Sequence, residues 1–252
     1  MNFQIVIFVS LIISAFCLSL PADLKRYQVI GGSTVTNSGT SKIDGDIALY
    51  PGTSVTGFPP GILTGKMEVA NPAGLLAKTA LTKFYLETSK LPCQYNLTGL
   101  ELGGRTLVPG VYCWATKVAI TGTVTLDRKN EISPKWIFQI GTTLDTSSSS
   151  IVSIINGANV PCNIFWNVGS SVTLGSNSKF KGIVNAYTSI SVSTTAAIEG
   201  KLFAQNGAVS LLTNDVSLGV NGTQCETSSS GSTKTGFTII SVLITFLLLF
   251  IQ

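Results

Sequence analysis

The sequence contains no histidine, and charged residues make up only 11% of its 252 positions. Histidine is the side chain most often used in acid–base catalysis and a common zinc ligand, so its absence argues against both functions. The Lys and Arg residues are scattered and never form a run. Nucleic acid is therefore not expected as a partner, because its recognition needs a concentrated positive surface. Solubility has to come from Ser, Thr, Asn and Gly.

Both ends of the chain resemble targeting segments. Residues 1–20 hold an apolar run that ends in small residues, which predicts a signal peptide cut near Ser19–Ala22, with a retained membrane anchor as the alternative. Residues 227–252 form a polar spacer and an apolar tail, the order typical of a GPI-attachment signal. A C-terminal transmembrane helix is the alternative. We expect one domain at 21–226, in the secretory pathway and then extracellular, tethered to the cell surface.

Four cysteines lie outside the predicted signal peptide: Cys93, Cys113, Cys162 and Cys225. An even number in an oxidising compartment indicates disulfides, and free buried thiols are the alternative. Of the three possible pairings we favour Cys93–Cys113 with Cys162–Cys225, because these residues are nearest along the chain. Glycosylation sequons at Asn96 and Asn221 predict exposed loops.

An internal repeat with an offset of 18 or 19 residues runs through the second half. Its apolar positions fall in three rungs: Trp166, Val168, Val172, Leu174 and Phe180; Val184, Ala186, Ile190, Val192 and Ile198; Leu202, Ala204, Val209, Leu211 and Val216. Within each rung apolar and polar residues alternate, which is the periodicity of a strand. Gly182 and Gly200 keep the same offset. Apolar columns that stay aligned favour a β-solenoid over the alternative, an antiparallel sandwich.

One segment, at about residues 71–90, has the composition of a helix. It is rich in Ala and Leu, and Pro72 stands near its start. Helical spacing groups six residues on one side of it: Leu75, Leu76, Thr79, Ala80, Lys83 and Leu86. We expect an amphipathic helix that lies along the solenoid and covers one of its faces.

Several stretches, in a fixed order, carry a family resemblance. They include "GDIALYPGTSVTGFPPG" at 45–61, "LGGRTLVPGVYCW" at 102–114, "FKGIVNAYTSISV" at 180–192 and "EGKLFAQNGAVSL" at 199–211. Residues 27–216 as a whole resemble the widespread ice-binding proteins. The resemblance implies a mostly β fold: an irregular right-handed β-solenoid with one long α-helix packed alongside, and N-terminal coils beside C-terminal coils. It also implies adsorption to ice, no cofactor and no metal, and we expect a monomer.

Small hydroxyl side chains stand where the strand alternation points outward. The candidates for an ice-binding face are Thr173, Ser191 and Ser210, one per rung, flanked by Ser171 and Ser189, with Thr34, Thr36, Thr53, Ser54 and Thr56 from the N-terminal coils. Solenoid coils stack about 4.7–4.9 Å apart, which is close to a repeat of the ice lattice. A rigid row of hydroxyls and methyls can order water at that spacing, whereas charges keep their own hydration shells. The alternative for each residue is an ordinary exposed polar position.

Two other classes of function compete with ice binding. An enzyme would need a pair such as Asp44 and Asp46, which share a face if both lie on one strand. A cell-surface adhesin or matrix protein on the same fold would present its hydroxyl face to sugars. Sugar binding, however, favours exposed aromatic platforms, and Trp114, Trp136 and Trp166 lie in predicted strands or core.

Overall fold

The computed structural model describes residues 18–218, which fold as a three-sided β-solenoid with a long helix alongside. Positions 1–17 and 219–252 lie outside the described residues. The predictions for Asn221, Cys225 and the C-terminal anchor therefore concern residues that the structure does not describe. Between residues 18 and 218, no helix combines the length and apolar character needed to cross a membrane.

One side of the solenoid is a sheet of seven parallel strands, which we call the seven-stranded face. Its strands, in spatial order, are β11 (Val118–Ile120), β14 (Leu144–Thr146), β17 (Val172–Leu174), β19 (Ile190–Val192), β21 (Val209–Leu212), β2 (Thr34–Ser38) and β5 (Ser54–Thr56). The strands are short because each one spans a single side of a coil.

A second, fifteen-stranded sheet bends around the other two sides. The side that we call the helix face contains β8 (Tyr95–Asn96), β10 (Gly110–Trp114), β13 (Trp136–Ile140), β16 (Ile164–Val168), the ends of β18 (Lys179–Ala186) and β20 (Ala197–Ala204), β1 (Tyr27–Gly31), β4 (Asp46–Leu49) and β7 (Met67–Val69). The side that we call the charged face contains β9 (Thr106–Leu107), β12 (Thr123–Asp127), β15 (Ile151–Ile155), the starts of β18 and β20, β22 (Asp215–Ser217), β3 (Lys42–Ile43) and β6 (Ile62–Leu63).

The strand register confirms the repeat predicted from the sequence. Trp166 pairs with Val184, which pairs with Leu202, and Val172 pairs with Ile190, which pairs with Val209. Gly182 and Gly200 also pair, at the corner where β18 and β20 pass from the charged face to the helix face. Both have positive φ, and a Cβ on Gly200 would lie 1.8 Å from the Gly182 carbonyl oxygen. Only glycine fits this corner.

The predicted packing of the N-terminal coils beside the C-terminal coil is also confirmed. Val29 of β1 pairs with Leu202 of β20, and Val35 of β2 pairs with Val209 of β21. The two coils that begin the domain therefore continue the stack from its C-terminal end. After β7 has added one more strand beyond β4, the chain has to return to the other end of the stack to form its remaining coils.

Aromatic side chains stack along the inside of the solenoid. The Phe138 ring lies 4.0 Å from the Trp166 ring, and Tyr112 and Phe180 extend the stack on either side at 5.7 and 5.1 Å. Trp114, Trp136 and Trp166 are all buried, as expected for core positions. The parallel register brings Tyr112, Phe138 and Trp166 together because matching positions of successive coils lie one strand spacing apart. Phe180 reaches the stack from the charged-face part of β18.

The return path is made by the long helix, α2 (Pro72–Ser89), which follows a short helix, α1 (Ala22–Lys25). Asn71 caps α2 by accepting a 2.8 Å hydrogen bond from the Gly74 amide. At about 1.5 Å per residue the helix is roughly 27 Å long, and it runs along the helix face.

The prediction of which side of this helix is buried is wrong. Leu75, Leu76 and Leu86 are 45%, 65% and 51% exposed. The residues that face the sheet are Gly74, Ala77, Leu81, Phe84 and Thr88. Small residues at Gly74 and Ala77 allow the start of the helix to approach the sheet closely, whereas Leu81 and Phe84 pack among large side chains of the sheet such as Phe165 and Phe203. A hydrophobicity pattern alone does not reveal that requirement.

A ladder of amide side chains on the helix face holds the C-terminal half of α2. Gln139 donates through Nε2 to the carbonyls of Thr88 and Leu91, each at 2.8 Å. Asn167 donates to Ser89 Oγ at 2.8 Å, and Gln205 donates to the Leu81 carbonyl at 3.1 Å. The bond to Thr88 satisfies a carbonyl in the last turn, which has no partner within the helix, and the other bonds add contacts along and just beyond the C-terminal half of α2. The helix is therefore a fixed cover over this face.

A disulfide joins Cys93 to Cys113, as predicted from their nearness in the chain. It ties the segment that follows α2 to β10, near the end of the stack. The second predicted pair, Cys162–Cys225, stays a prediction because Cys225 lies outside the described residues.

Candidate functional site

Five of the predicted hydroxyl residues, three from the repeat and two from the N-terminal coils, form one row across the seven-stranded face. Thr173 pairs with Ser191, and Ser191 pairs with Ser210. Ser210 then pairs with Thr36 of β2, and Thr36 pairs with Thr56 of β5. Five strands from opposite ends of the chain thus contribute one hydroxyl each, at the roughly 4.7–4.9 Å spacing of neighbouring strands.

Alternation within each short strand directs this row outward. Thr173 is exposed between buried Val172 and Leu174, and Ser191 is exposed between buried Ile190 and Val192. Ser210 and Thr36 are partly exposed, and Thr36 Oγ1 donates a 3.2 Å hydrogen bond to Ser210 Oγ. The β-branched and aliphatic neighbours pack inside the solenoid and hold the row rigid.

Two shorter rows flank the central one. Thr34 pairs with Ser54 on one side, and Ser38 pairs with Leu212 on the other. Ser38 and Leu212 were not predicted as site residues, although continuing the alternation by two positions from Thr36 and Ser210 would have found them. Leu212 is 39% exposed and adds an apolar patch to the edge of the face.

Three candidates lie at the corners of the coils rather than in the rows. Ser171 and Ser189 each precede a strand, and their hydroxyls accept hydrogen bonds from backbone amides of the next coil, at 3.4 and 3.3 Å. Thr53 is exposed, directly before β5, and has no place in the strand register. Ser171 and Ser189 thus contribute to coil stacking as well as to the surface.

Charge is confined to one end of the seven-stranded face. The row continues from Thr173 to Asp145 of β14 and Ala119 of β11, and exposed Lys117 directly precedes β11. The five strands β17, β19, β21, β2 and β5 contain no charged residue. They form an uncharged surface that is about 19 Å across, four strand spacings, between the outermost backbones.

The charged face differs in its outward side chains. One row across its strands runs in the order Lys179, Ala197, Asp215 and Lys42. The two lysines and the aspartate of this row are exposed. Lys181 forms an ion pair with Glu199 on the same face. Burial opposes ionisation of Glu199, but its hydrogen bonds with Lys181 and Asn159 outweigh burial and lower its pKa.

The two carboxylates considered for catalysis have separate structural partners. Asp44 accepts a 2.9 Å hydrogen bond from Thr64 Oγ1. Asp46 accepts a 2.8 Å hydrogen bond from the Lys66 amide and lies 3.4 Å from the Arg26 guanidinium. In the described part of the chain, no three Cys, Asp or Glu side chains come together as metal ligands would.

Comparisons with known proteins agree on one family. A family model described as ice-binding-like matches residues 29–217. An ice-binding protein of Nostoc sp. (strain HG1) is 40% identical over 204 residues, which cover 81% of this chain and 75% of that protein. The crystal structure of an ice-binding protein from the Antarctic ascomycete Antarctomyces psychrotrophicus superposes with a TM-score of 0.76 at 36% identity, covering 79% of this chain and 98% of that one. An ice-binding protein from an Antarctic biological consortium gives the same TM-score and identity, covering 79% and 91%.

Proposed function

Because this chain belongs to the ice-binding-like family, we propose that it adsorbs to ice crystals and restricts their growth or recrystallisation, as an antifreeze protein does. The observation that carries the proposal is the register of the seven-stranded face. Thr173, Ser191, Ser210, Thr36 and Thr56 form one unbroken row of hydroxyls.

The seven-stranded face is the side best suited to contact ice. Helix α2 covers the helix face, and amide hydrogen bonds fix it there. The charged face carries Lys and Asp side chains whose hydration water would have to be removed before contact with a crystal. The seven-stranded face has no cover among the described residues, and five of its strands are uncharged.

A fixed strand spacing explains how weak groups can act together. Each hydroxyl or methyl makes a contact of little energy, but the row repeats it at about 4.7–4.9 Å, near a repeat of the ice lattice. The backbone of a solenoid is held by hydrogen bonds on both sides, so ordering the face costs little entropy on binding. Water arranged along the row can then join the crystal surface.

We infer that the protein is not an enzyme. The chain has no His, and Asp44 and Asp46 are engaged with separate partners. The adhesin alternative rests on the predicted surface tether. Trp114, Trp136 and Trp166 are buried inside the solenoid and offer no platform on which a sugar ring could stack.

Secretion and tethering belong to this proposal too. We propose an extracellular monomer that is made with a cleavable leader, that is held at the membrane by a GPI anchor or a C-terminal helix, and that bears glycans at Asn96 and Asn221. Asn96 is exposed in β8, the last strand of the helix face. A glycan there would extend from the end of the stack and leave the row of hydroxyls clear.

The test is direct observation of single ice crystals grown in the presence of the secreted protein. Faceted crystals, a gap between melting and freezing points, and slower recrystallisation support the proposal. The proposal would be contradicted if protein that is folded by circular dichroism gave smooth ice discs, no gap between melting and freezing points, and no slowing of recrystallisation. A glycan-binding assay on the same sample would detect an adhesin.

A further inference from the structure

Residues near the start of the described chain pack as part of the domain. Leu18, Leu20 and Leu24 are 9%, 6% and 0% exposed, and they belong to the apolar cluster between α2 and the helix face. Ser19 between them is exposed. This alternation resembles a strand or edge segment laid against a core, with every second side chain buried.

The partners of these leucines come from the elements that fix the helix. The same cluster contains Ala77, Leu81 and Phe84 of α2 and Phe203 of β20. Leu18 and Leu20 therefore contribute to the apolar layer that holds α2 on the solenoid. A leader cut after residue 20, as the composition of the N-terminal run suggested, would remove both leucines and leave that layer incomplete.

The sequence offers an earlier cleavage site that keeps them. Signal peptidases require small residues one and three positions before the bond that they cut. Cys17 and Ala15 occupy those two positions relative to the bond between Cys17 and Leu18. The apolar run from Phe3 to Phe16 precedes this site and supplies the hydrophobic part of the leader.

We propose that signal peptidase hydrolyses the Cys17–Leu18 peptide bond, so that the mature protein begins at Leu18. One water is consumed, a carboxylate forms on Cys17, and a new α-amino group forms on Leu18. The new N-terminus places Leu18 and Leu20 under α2. It also removes Cys17 and leaves four cysteines, an even number, in the secreted chain.

The first test is the N-terminal sequence of the protein recovered from the cell surface and the medium of a eukaryotic host that expresses its complete reading frame. The expected sequence is Leu-Ser-Leu-Pro-Ala. A start at any position from 19 to 23, or an uncut chain that begins at Met1, would overturn the proposal. This readout does not depend on ice, so the proposed function and the cleavage site can fail separately.

A second test measures the role of the two leucines. Chains that begin at Leu18 and at Pro21, each placed behind the same foreign leader, are compared by thermal unfolding. The shorter chain is expected to unfold at least about 5 °C lower, since it loses two buried leucine side chains. Ser19→Ala in the longer chain is the matched control and should leave the midpoint unchanged. Equal midpoints for the two chains would contradict the packing on which the proposal rests.

Discussion

Thr36 Oγ1 donates a 3.2 Å hydrogen bond to Ser210 Oγ, although 174 positions separate the two residues in sequence. Thr36 lies in the first coil of the domain and Ser210 in the last, and β2 and β21 are neighbours in the seven-stranded face. The candidate ice-binding row is therefore continuous only while the N-terminal coils stay docked on the C-terminal coil.

Lys201 is predicted to hold these coils together. It is fully buried, and its Nζ donates to the carbonyls of Lys25 and Tyr27, each at 2.7 Å, and to Gln28 Oε1 at 3.3 Å. Lys201→Met should lower the free energy of unfolding by about 2–4 kcal/mol, because it leaves buried acceptors without a donor. Lys179→Met, at an exposed position on the same sheet, is the control and should change it by less than about 0.5 kcal/mol. Urea denaturation of both variants measures these changes. An unchanged free energy of unfolding in Lys201→Met would refute the predicted role of Lys201.

A single charge in the row is predicted to abolish ice activity. Ser191→Asp places a carboxylate in the centre of the uncharged surface, and its hydration shell should keep the face from the crystal. Asn has nearly the same size as Asp but no charge, so Ser191→Asn should retain more ice activity than Ser191→Asp. At pH 3, below the ordinary carboxyl pKa of about 3.9, the Asp variant should recover toward the Asn variant. Thermal hysteresis at pH 7 and pH 3 makes the comparison, and equal loss in both variants at pH 7 would show that charge is not the cause.

The pH dependence of stability is predicted to include Lys78. Partial burial lowers the pKa of Lys78 from 10.5 to about 8. Between these pH values the unfolded chain binds more protons than the folded one, so stability from this group rises as the pH rises from 8 toward 10.5. Burial raises the pKa of Tyr112 to about 12, which acts in the opposite direction above pH 10.

The window from pH 8 to pH 10 therefore isolates the effect of Lys78. Lys78→Met should lose the rise in urea midpoint across this window, whereas Lys83→Met, at a mostly exposed position on the same helix, should keep it. The same slope in wild type and in Lys78→Met would contradict the assignment.

The repeat in the sequence favoured a solenoid and predicted its register, and the resemblance to the ice-binding proteins supported the same fold. An offset of 18 residues fixes which apolar side chains meet inside, because parallel strands pair equivalent positions of successive coils. Alternation then identified Thr173, Ser191 and Ser210 as outward residues of one row. The position of Thr36 and Thr56 in the same row depends on a contact between distant parts of the chain, which the local pattern does not specify.

The helix shows where local reasoning fails. Leu75, Leu76 and Leu86 have the spacing of a buried stripe, yet they face outward. The docking side is chosen by what the sheet provides, which is a set of large rings and a ladder of amides that bond to helix carbonyls. Gly74 and Ala77 fit that surface because they are small. Such a choice requires knowledge of both partners.

The central claim is that ice meets the seven-stranded face and not another side. Thr173 and Thr123 are matched residues for testing it, since both are exposed threonines on short parallel strands, one on the seven-stranded face and one on the charged face. The decisive measurement is the thermal hysteresis of Thr173→Tyr beside that of Thr123→Tyr, at equal concentration of folded protein. We predict that Thr173→Tyr loses most of the freezing gap, because a bulky ring lifts the row off the crystal, and that Thr123→Tyr keeps it. Full activity in Thr173→Tyr, or loss in Thr123→Tyr alone, would contradict the account.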